Sequence, residues 1–341
     1  MAISHLNPFV TTYKTLISDS FYHNLSIMQS TDRATPYGPL FVIISAGLCS
    51  IFKYNLIATI FSFKLFFFLI TILCAYLVYR HFGKKAFYLL AFNPLLLFEL
   101  IVNGHNESLV ILFILLTFIF FKKAVKNNNR TYYLFSFAAL MAAILIKYTA
   151  LLILPFFYLL SLHNISTTRQ RLKYSLSLFL LGSLMIILSY LPFDLNIFKS
   201  LKSVSAQSNI SSALLCSPLI LFFRGATHYL SFNNYNLLAV TVSRLVFLFF
   251  YIYLIGRARI SQASKDPNKL TITFIKFSTL AFVGICASFF TWFMPWYLCS
   301  LLLTLIIFAT NPENSSRQEK LLIASIYLIS IYGLLFYFFL G

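Results

Sequence analysis

Long apolar segments alternate with short polar ones along most of the chain, and this pattern predicts its architecture. A helix that crosses a membrane needs about 20 apolar residues, so the recurrent runs predict an all-α, polytopic membrane protein. We count about ten segments that could span, several of them short for a full crossing. They are residues 55–79, 87–102, 108–121, 131–146, 150–162, 174–191, 236–256, 271–290, 297–310 and 321–340.

The remaining segments are predicted to lie at the membrane surface or outside it. Residues 40–52 and 214–223 are apolar but too short to span, so we expect interfacial or re-entrant helices. Residues 192–212 form a long polar segment, which we interpret as a loop. The whole chain, residues 1–341, is predicted to be one membrane domain in which residues 1–39 are the remnant of an outer loop.

Basic residues predict the orientation of the chain. Lys and Arg gather in the short loops that follow residues 79, 121, 162 and 256, which the positive-inside rule places in the cytoplasm. The polar turn at residues 103–107 then lies outside, in what we expect to be the plasma membrane. Residues 1–39 also lie outside, although no apolar segment precedes them, so we expect an upstream helix and hence an N-terminally truncated chain.

Charge and cysteine content argue against nucleic-acid binding, a disulfide framework and a zinc site. The chain carries a net charge of +18, but its basic residues are spread over loops and form no basic helix, so nucleic acid is not an expected partner. Anionic membrane lipids fit this distribution better. The five cysteines stand singly in apolar runs, which predicts neither a disulfide framework nor a zinc site.

The most informative stretch is FNPLLLFELIVNGHNESL at residues 92–109, where one apolar helix ends in polar groups and another begins. Ionisable groups between membrane helices cost about 2.5–3.5 kcal/mol each, and are therefore functional candidates. The alternative is a polar turn that only joins two helices at the water boundary. The polar residues of the stretch are Glu99, Asn103, His105, Asn106 and Glu107.

Three of these residues are our candidates for catalysis. Glu107 is the first, either positioning an acceptor or ligating a divalent cation, although a carboxylate at a helix start also stabilises the helix dipole. His105 could bind phosphate or share a proton, or be a simple turn residue. Glu99 lies one helical turn before Asn103 and could orient it. Metal dependence on Mg²⁺ or Mn²⁺ stays open.

Other residues are candidates for substrate binding. Lys147 interrupts an apolar run at the outer end of its helix, where it could meet a lipid phosphate or only snorkel to the interface. Tyr37 is expected to shape the floor of the pocket. Arg224 and His228, in the outer loop region, are phosphate-binding candidates, and the amides of Asn103 and Asn106 complete the predicted set.

Four motifs in order along the chain carry a family resemblance: YGPL at residues 37–40, the stretch at residues 92–109, KYTALLILP at residues 147–155 and MPWYL at residues 294–298. Together they resemble the GT-C superfamily of integral-membrane glycosyltransferases. More narrowly, they resemble the polyprenyl-phosphate-mannose-dependent mannosyltransferases of the glycosyltransferase 87 type.

The resemblance implies an activity and a missing group. It implies transfer of a hexose, for which mannose is the first candidate, from a polyprenyl-phosphate donor to an extracytoplasmic glycan or glycolipid. The transfer is expected to invert the anomeric centre. Glu107 stands where an Asp is more usual in the family. The family's catalytic Asp is expected upstream of this chain, because Asp19 and Asp32 are too close to Tyr37 to match its position.

Two other functions remain open from the sequence. A flippase or transporter for lipid-linked sugars would be expected to show internal repeats and polar groups near the middle of the membrane. We find no repeat, and the polar groups gather at one edge. A non-catalytic, truncated homologue is the third possibility.

Overall fold

The fold is described by a computed structural model. It covers residues 6–12, 34–52, 55–163, 165–207, 216–230, 234–261, 266–291 and 293–340. Within these ranges all regular secondary structure is helical, which confirms the predicted all-α class. The α-helices are α1 (Pro39–Phe52), α2 (Leu56–Phe82), α3 (Lys84–Ala91), α4 (Pro94–Leu97), α5 (Glu107–Asn127), α6 (Arg130–Ile146), α7 (Leu154–Ser161), α8 (Thr168–Tyr190), α9 (Ile197–Gln207), α10 (Pro218–Tyr229), α11 (Tyr235–Ser261), α12 (Pro267–Ser288), α13 (Leu298–Ala309) and α14 (Ser316–Leu340).

Six helices in the described part of the chain are long and apolar enough to cross a membrane: α2, α5, α8, α11, α12 and α14. Helices α3 and α4, with the π-helix that continues α4, form a seventh candidate that is bent by 58°. The other predicted spans are apolar helices of less than full length. All ten predicted segments are therefore helical, but six of them reach full spanning length without a break.

The helices form a buried centre and an apolar periphery. We compared the most apolar 18-residue stretch of each helix. Of that stretch, 72% is buried in α5 and 67% in α12, whereas 11% is buried in α2 and 17% in α14. The outer helices expose large apolar side chains such as Phe61, Phe179 and Phe249. A helix that is apolar on its outward face is stable where lipid, not water, surrounds it. The chain is therefore a membrane protein.

The predicted helix at residues 87–102 is interrupted in the structure. Pro94 has no amide hydrogen and disfavours a helical conformation in the residue before it, so a new helix starts there. The side chain of Asn93 caps this helix by accepting from the amide of Leu96 at 3.1 Å. The same side chain donates to Ser330 Oγ at 2.8 Å, which ties the bend to α14.

The predicted loop at residues 192–212 contains a helix instead, α9. Its polar composition reports exposure to water and does not exclude a helix, which is why hydropathy alone gave the wrong answer. The helix is anchored by the hydroxyls of Tyr148, Tyr190 and Ser200, which lie 2.6–3.0 Å apart. Nearby, Phe9 of the predicted outer segment packs on Tyr190.

The YGPL segment meets the end of α6. The amide of Gly38 donates to the carbonyl of Ile146 at 3.0 Å. A Cβ atom at Gly38 would lie 2.1 Å from the carbonyl oxygen of Leu145, so no larger residue fits without displacing the backbone. This contact joins the YGPL segment to the last residue of α6, directly before Lys147.

Gly38→Ala is expected to destabilise the protein by about 1–3 kcal/mol, because the added methyl group overpacks this contact. Thermal unfolding in detergent measures the effect. Gly47→Ala is the matched control, since nothing lies within 4 Å of a Cβ at Gly47 in α1, and alanine should stabilise that helix slightly. Equal unfolding temperatures for Gly38→Ala and the wild type would contradict the predicted contact.

Candidate functional site

A buried ion pair between Glu107 and Lys147 forms the centre of the candidate site. The exposed fractions of the two side chains are 2% and 11%. Ser300 Oγ lies 3.3 Å from the second carboxylate oxygen of Glu107, and Lys147 Nζ lies 4.5 Å from the ring centre of Tyr297. Three sequence motifs that are far apart in the chain therefore meet at one point.

The backbone presents Lys147 to this point. Helix α6 ends at Ile146, and Lys147 itself is extended, with φ −149° and ψ 122°. A 3₁₀-helix, Tyr148–Ile153, follows directly. The change of conformation separates Lys147 from the apolar helix before it, so its ammonium group reaches the first residue of α5. The prediction that Lys147 stands at the end of its helix is confirmed.

His105 lies in the turn that precedes α5. Gly104 before it has φ +64°, a conformation that suits glycine. The imidazole ring stacks on Trp296, with ring centres 4.7 Å apart and planes inclined by 21°. Burial, and secondly the positive charge of Lys147, lowers the pKa of His105 well below its usual value. The ring is therefore neutral at physiological pH.

Glu99 belongs to a second polar group, which it forms with Asn103 and Tyr337. The chain from Phe98 to Val102 is a π-helix, in which the amide of Asn103 donates to the carbonyl of Phe98 at 2.8 Å. Asn103 Nδ2 donates to Glu99 at 3.0 Å, as the spacing predicted. Tyr337 of α14 donates its hydroxyl to the other oxygen of Glu99. Glu99 thus links the π-helix to the last helix of the chain.

Asn106 differs from its neighbours because its side chain is buried without a hydrogen-bond partner. It is 4% exposed, and neither its Nδ2 nor its Oδ1 has a partner in the described part of the chain. A buried amide left without partners costs about 1–3 kcal/mol. Such a group, between His105 and Glu107, is available to a ligand that offers both a donor and an acceptor.

Arg224 and His228 lie in helix α10, and the prediction that they belong to a loop is wrong. The apolar residues 218–223 start a helix that runs through both. Arg224 donates to Cys216 Sγ at 3.3 Å, and Cys216 in turn contacts the carbonyl of Thr291 at 3.2 Å. His228 is exposed and packs against Tyr235, with ring centres 5.0 Å apart. It does not touch the Glu107–Lys147 pair.

Tyr37 is half-buried and packs edge to face against Phe41, with ring centres 5.0 Å apart. Its predicted place in the floor of the pocket stays a prediction. Asp19, Asp32 and Trp292 lie outside the described residues. Within the described ranges, no three His, Cys, Asp or Glu side chains are grouped so that they could hold a metal ion.

Four further residues complete the site and were not among the predicted site residues. Trp296 and Tyr297 stand in the MPWYL motif, so their positions were visible although their contacts were not. Ser300 and Tyr337 lie in ordinary apolar helices and carry no local signal. Only the tertiary packing of α13 and α14 reveals them.

Residues 1–163 match the family model described as alpha-(1->6)-mannopyranosyltransferase, N-terminal domain. The first 163 residues are thus similar to a mannosyltransferase family domain. The match confirms the predicted resemblance to GT-C mannosyltransferases, and it includes the carboxylate of Glu107, its partner Lys147 and the turn that contains His105. No curated protein and no solved structure matches the chain significantly.

Either single substitution in the buried pair, Glu107→Gln or Lys147→Met, is expected to cost about 3–5 kcal/mol of stability, because each leaves one charge buried alone. The double variant should recover most of this loss. Thermal unfolding in detergent measures all three. The exposed pair Lys85–Glu319 provides matched controls, since removing it should cost about 1 kcal/mol or less. Additive losses in the double variant would argue against a coupled pair.

His105 is expected to make stability depend on pH. Its folded-state pKa lies below the unfolded value of about 6.5, so the unfolded chain binds the proton first and stability falls as pH decreases below that value. The stability difference between wild type and His105→Gln should be constant above about pH 7.5 and shrink towards pH 5. A difference that grows on acidification would show a charged imidazole in the folded protein.

Proposed function

We propose that the protein is a membrane glycosyltransferase that moves a hexose, with mannose as the first candidate, from a polyprenyl-phosphate donor to an extracytoplasmic glycan or glycolipid, with inversion. The mannosyltransferase family domain supports the transfer of mannose. The observation that carries the proposal is the convergence of Glu107, Lys147 and His105 at the start of α5.

Lys147 is suited to receive the leaving phosphate. Negative charge builds on the phosphate as the glycosidic bond breaks, and a preorganised cation stabilises that charge. Glu107 and the face of Tyr297 hold the ammonium in place before substrate arrives. Because the surroundings are buried, the ammonium interacts with an incoming phosphate more strongly than an exposed lysine does.

His105 is suited to donate a hydrogen bond as a neutral group. Its Nδ1 faces the amide of Glu107 at 3.4 Å and accepts from it, which assigns the ring proton to Nε2. A neutral Nε2–H can bind a phosphate or sugar oxygen without adding charge. Trp296 fixes the plane of the ring by stacking. The amide of Asn106, next in the chain, adds one donor and one acceptor for sugar hydroxyls.

A carboxylate must accept the proton of the attacking hydroxyl. One carboxylate oxygen of Glu107 is already engaged by Lys147 and the other faces Ser300, so we assign Glu107 to positioning Lys147 and the acceptor. We also assign Glu99, which binds Tyr337 and Asn103, to a positioning role. The family resemblance implies that the base is an Asp of the first outer loop, at a position that neither Asp19 nor Asp32 matches.

The distribution of charge supports an extracytoplasmic site. Arg80, Lys122 and Arg257 lie towards the ends of helices opposite to the Glu107–Lys147 pair along α2, α5 and α11. By the positive-inside rule those ends face the cytoplasm.

Transfer of mannose from polyprenyl-phosphate-mannose to a glycan acceptor, measured in proteoliposomes with the protein as naturally encoded, is the decisive experiment. Lys147→Met should lower the rate by about 10- to 150-fold, since a charge-assisted hydrogen bond contributes about 1.5–3 kcal/mol. Lys85→Met is the control and should retain the wild-type rate.

Two results would contradict the proposal. Absence of transfer from mannose and glucose donors, together with movement of labelled carrier lipid between leaflets, would identify a flippase. Absence of both activities in a folded, monodisperse preparation would identify a non-catalytic homologue.

A further inference from the structure

Arg244 is a cation inside a helix long enough to cross the membrane, α11. It stands nine residues after Tyr235, the first residue of that helix, or about 14 Å along its axis. A charged side chain at such a depth is costly, and it is retained where it binds something or reaches water. The proposed transfer mechanism does not use it.

The contacts of Arg244 leave its charge unbalanced within the described part of the chain. Its guanidinium lies over the ring of Phe289, 5.1 Å from the ring centre. Its Nε is buried and has no hydrogen-bond partner among the described residues. The ion pairs of those residues, Lys85–Glu319 and Lys147–Glu107, do not include it. An aromatic face alone offsets little of the cost of holding a partly buried guanidinium between membrane helices.

Phe289 also connects Arg244 to the candidate site. It precedes Phe290, whose ring stacks on Tyr297 with ring centres 4.0 Å apart. Tyr297 in turn lies under the ammonium of Lys147. Arg244 and Lys147 thus flank one continuous aromatic group, formed by Phe289, Phe290 and Tyr297. Among the residues that the structure describes, Lys147 is paired with a carboxylate and Arg244 is not.

We propose that Arg244 binds the phosphate group of a membrane lipid beside this aromatic group. Leu245, Val246 and Leu248, its neighbours on α11, are 43–48% exposed on the apolar periphery, so a ligand approaching there comes from the lipid. The planar guanidinium can bind two oxygens of one phosphate while its face remains on Phe289. The assignment of that lipid as the sugar donor rests on the proposed function, whereas a structural phospholipid offers the same chemistry.

Lipid binding to the purified full chain in detergent tests the proposal, with native mass spectrometry as the readout. The probes are polyprenyl phosphate, the uncharged polyprenol of equal length, and phosphatidylglycerol. Arg244→Gln should weaken binding of a phosphate-bearing lipid by about 10- to 100-fold and leave polyprenol unchanged. Arg257→Gln, at an exposed position near the other end of α11, is the matched control. It should weaken binding of either phosphate-bearing lipid by no more than about 5-fold, since one cation at the membrane surface contributes about 1 kcal/mol.

The outcomes separate the two lipid sources and the two proposals. If Arg244→Gln binds polyprenyl phosphate more weakly, the bound lipid is the donor. If it binds only phosphatidylglycerol more weakly, the bound lipid is structural. Both support the site, even if no sugar transfer is found. Unchanged binding of both lipids to folded Arg244→Gln would overturn it and show that the arginine only snorkels. If Arg244→Gln proves unstable, Arg244→Lys replaces it. This variant keeps the charge without the planar guanidinium and should bind with intermediate affinity.

Discussion

The structure depends on the removal of two opposite charges from water at a single place. The Glu107–Lys147 pair is buried, and such a pair is tolerated only when its geometry is fixed by neighbouring groups. Its surroundings provide that geometry. The end of α6 turns into an extended residue, α5 begins with the carboxylate, and Ser300 and Tyr297 contact the two charges. The loops that meet here are therefore constrained by electrostatics as much as by apolar packing.

Most of the helical fold could be predicted because apolar runs of membrane length have few alternatives to a helix. The breaks were harder to predict. The Asn93-Pro94 pair is a sequence signal for the bend. The mean hydropathy of the segment does not show it, because it averages the residues on both sides of the proline. Helix α9 was missed for the opposite reason, because its polar residues were interpreted as a loop.

The candidate site was predicted residue by residue but not as an arrangement. Glu107, His105 and Lys147 stand out as rare polar groups in an apolar chain, which is a local signal. Their pairing joins residues forty positions apart, and no periodicity reports such a contact. Arg244 was missed for a related reason. A single arginine in the apolar part of a long helix barely changes the mean hydropathy, although holding that charge between membrane helices is costly.

The π-helix at Phe98–Val102 gives this part of the protein a sensitivity that its apolar character conceals. It accommodates one more residue per turn than an α-helix, and the extra residue sets the register between Glu99 and Asn103. Loss of a single apolar residue here would leave a segment of nearly unchanged hydropathy. It would nevertheless rotate the following turn by about 100° and move Asn103, His105 and Asn106 together. Insertions and deletions in this helix are thus far more damaging than substitutions of one apolar residue by another.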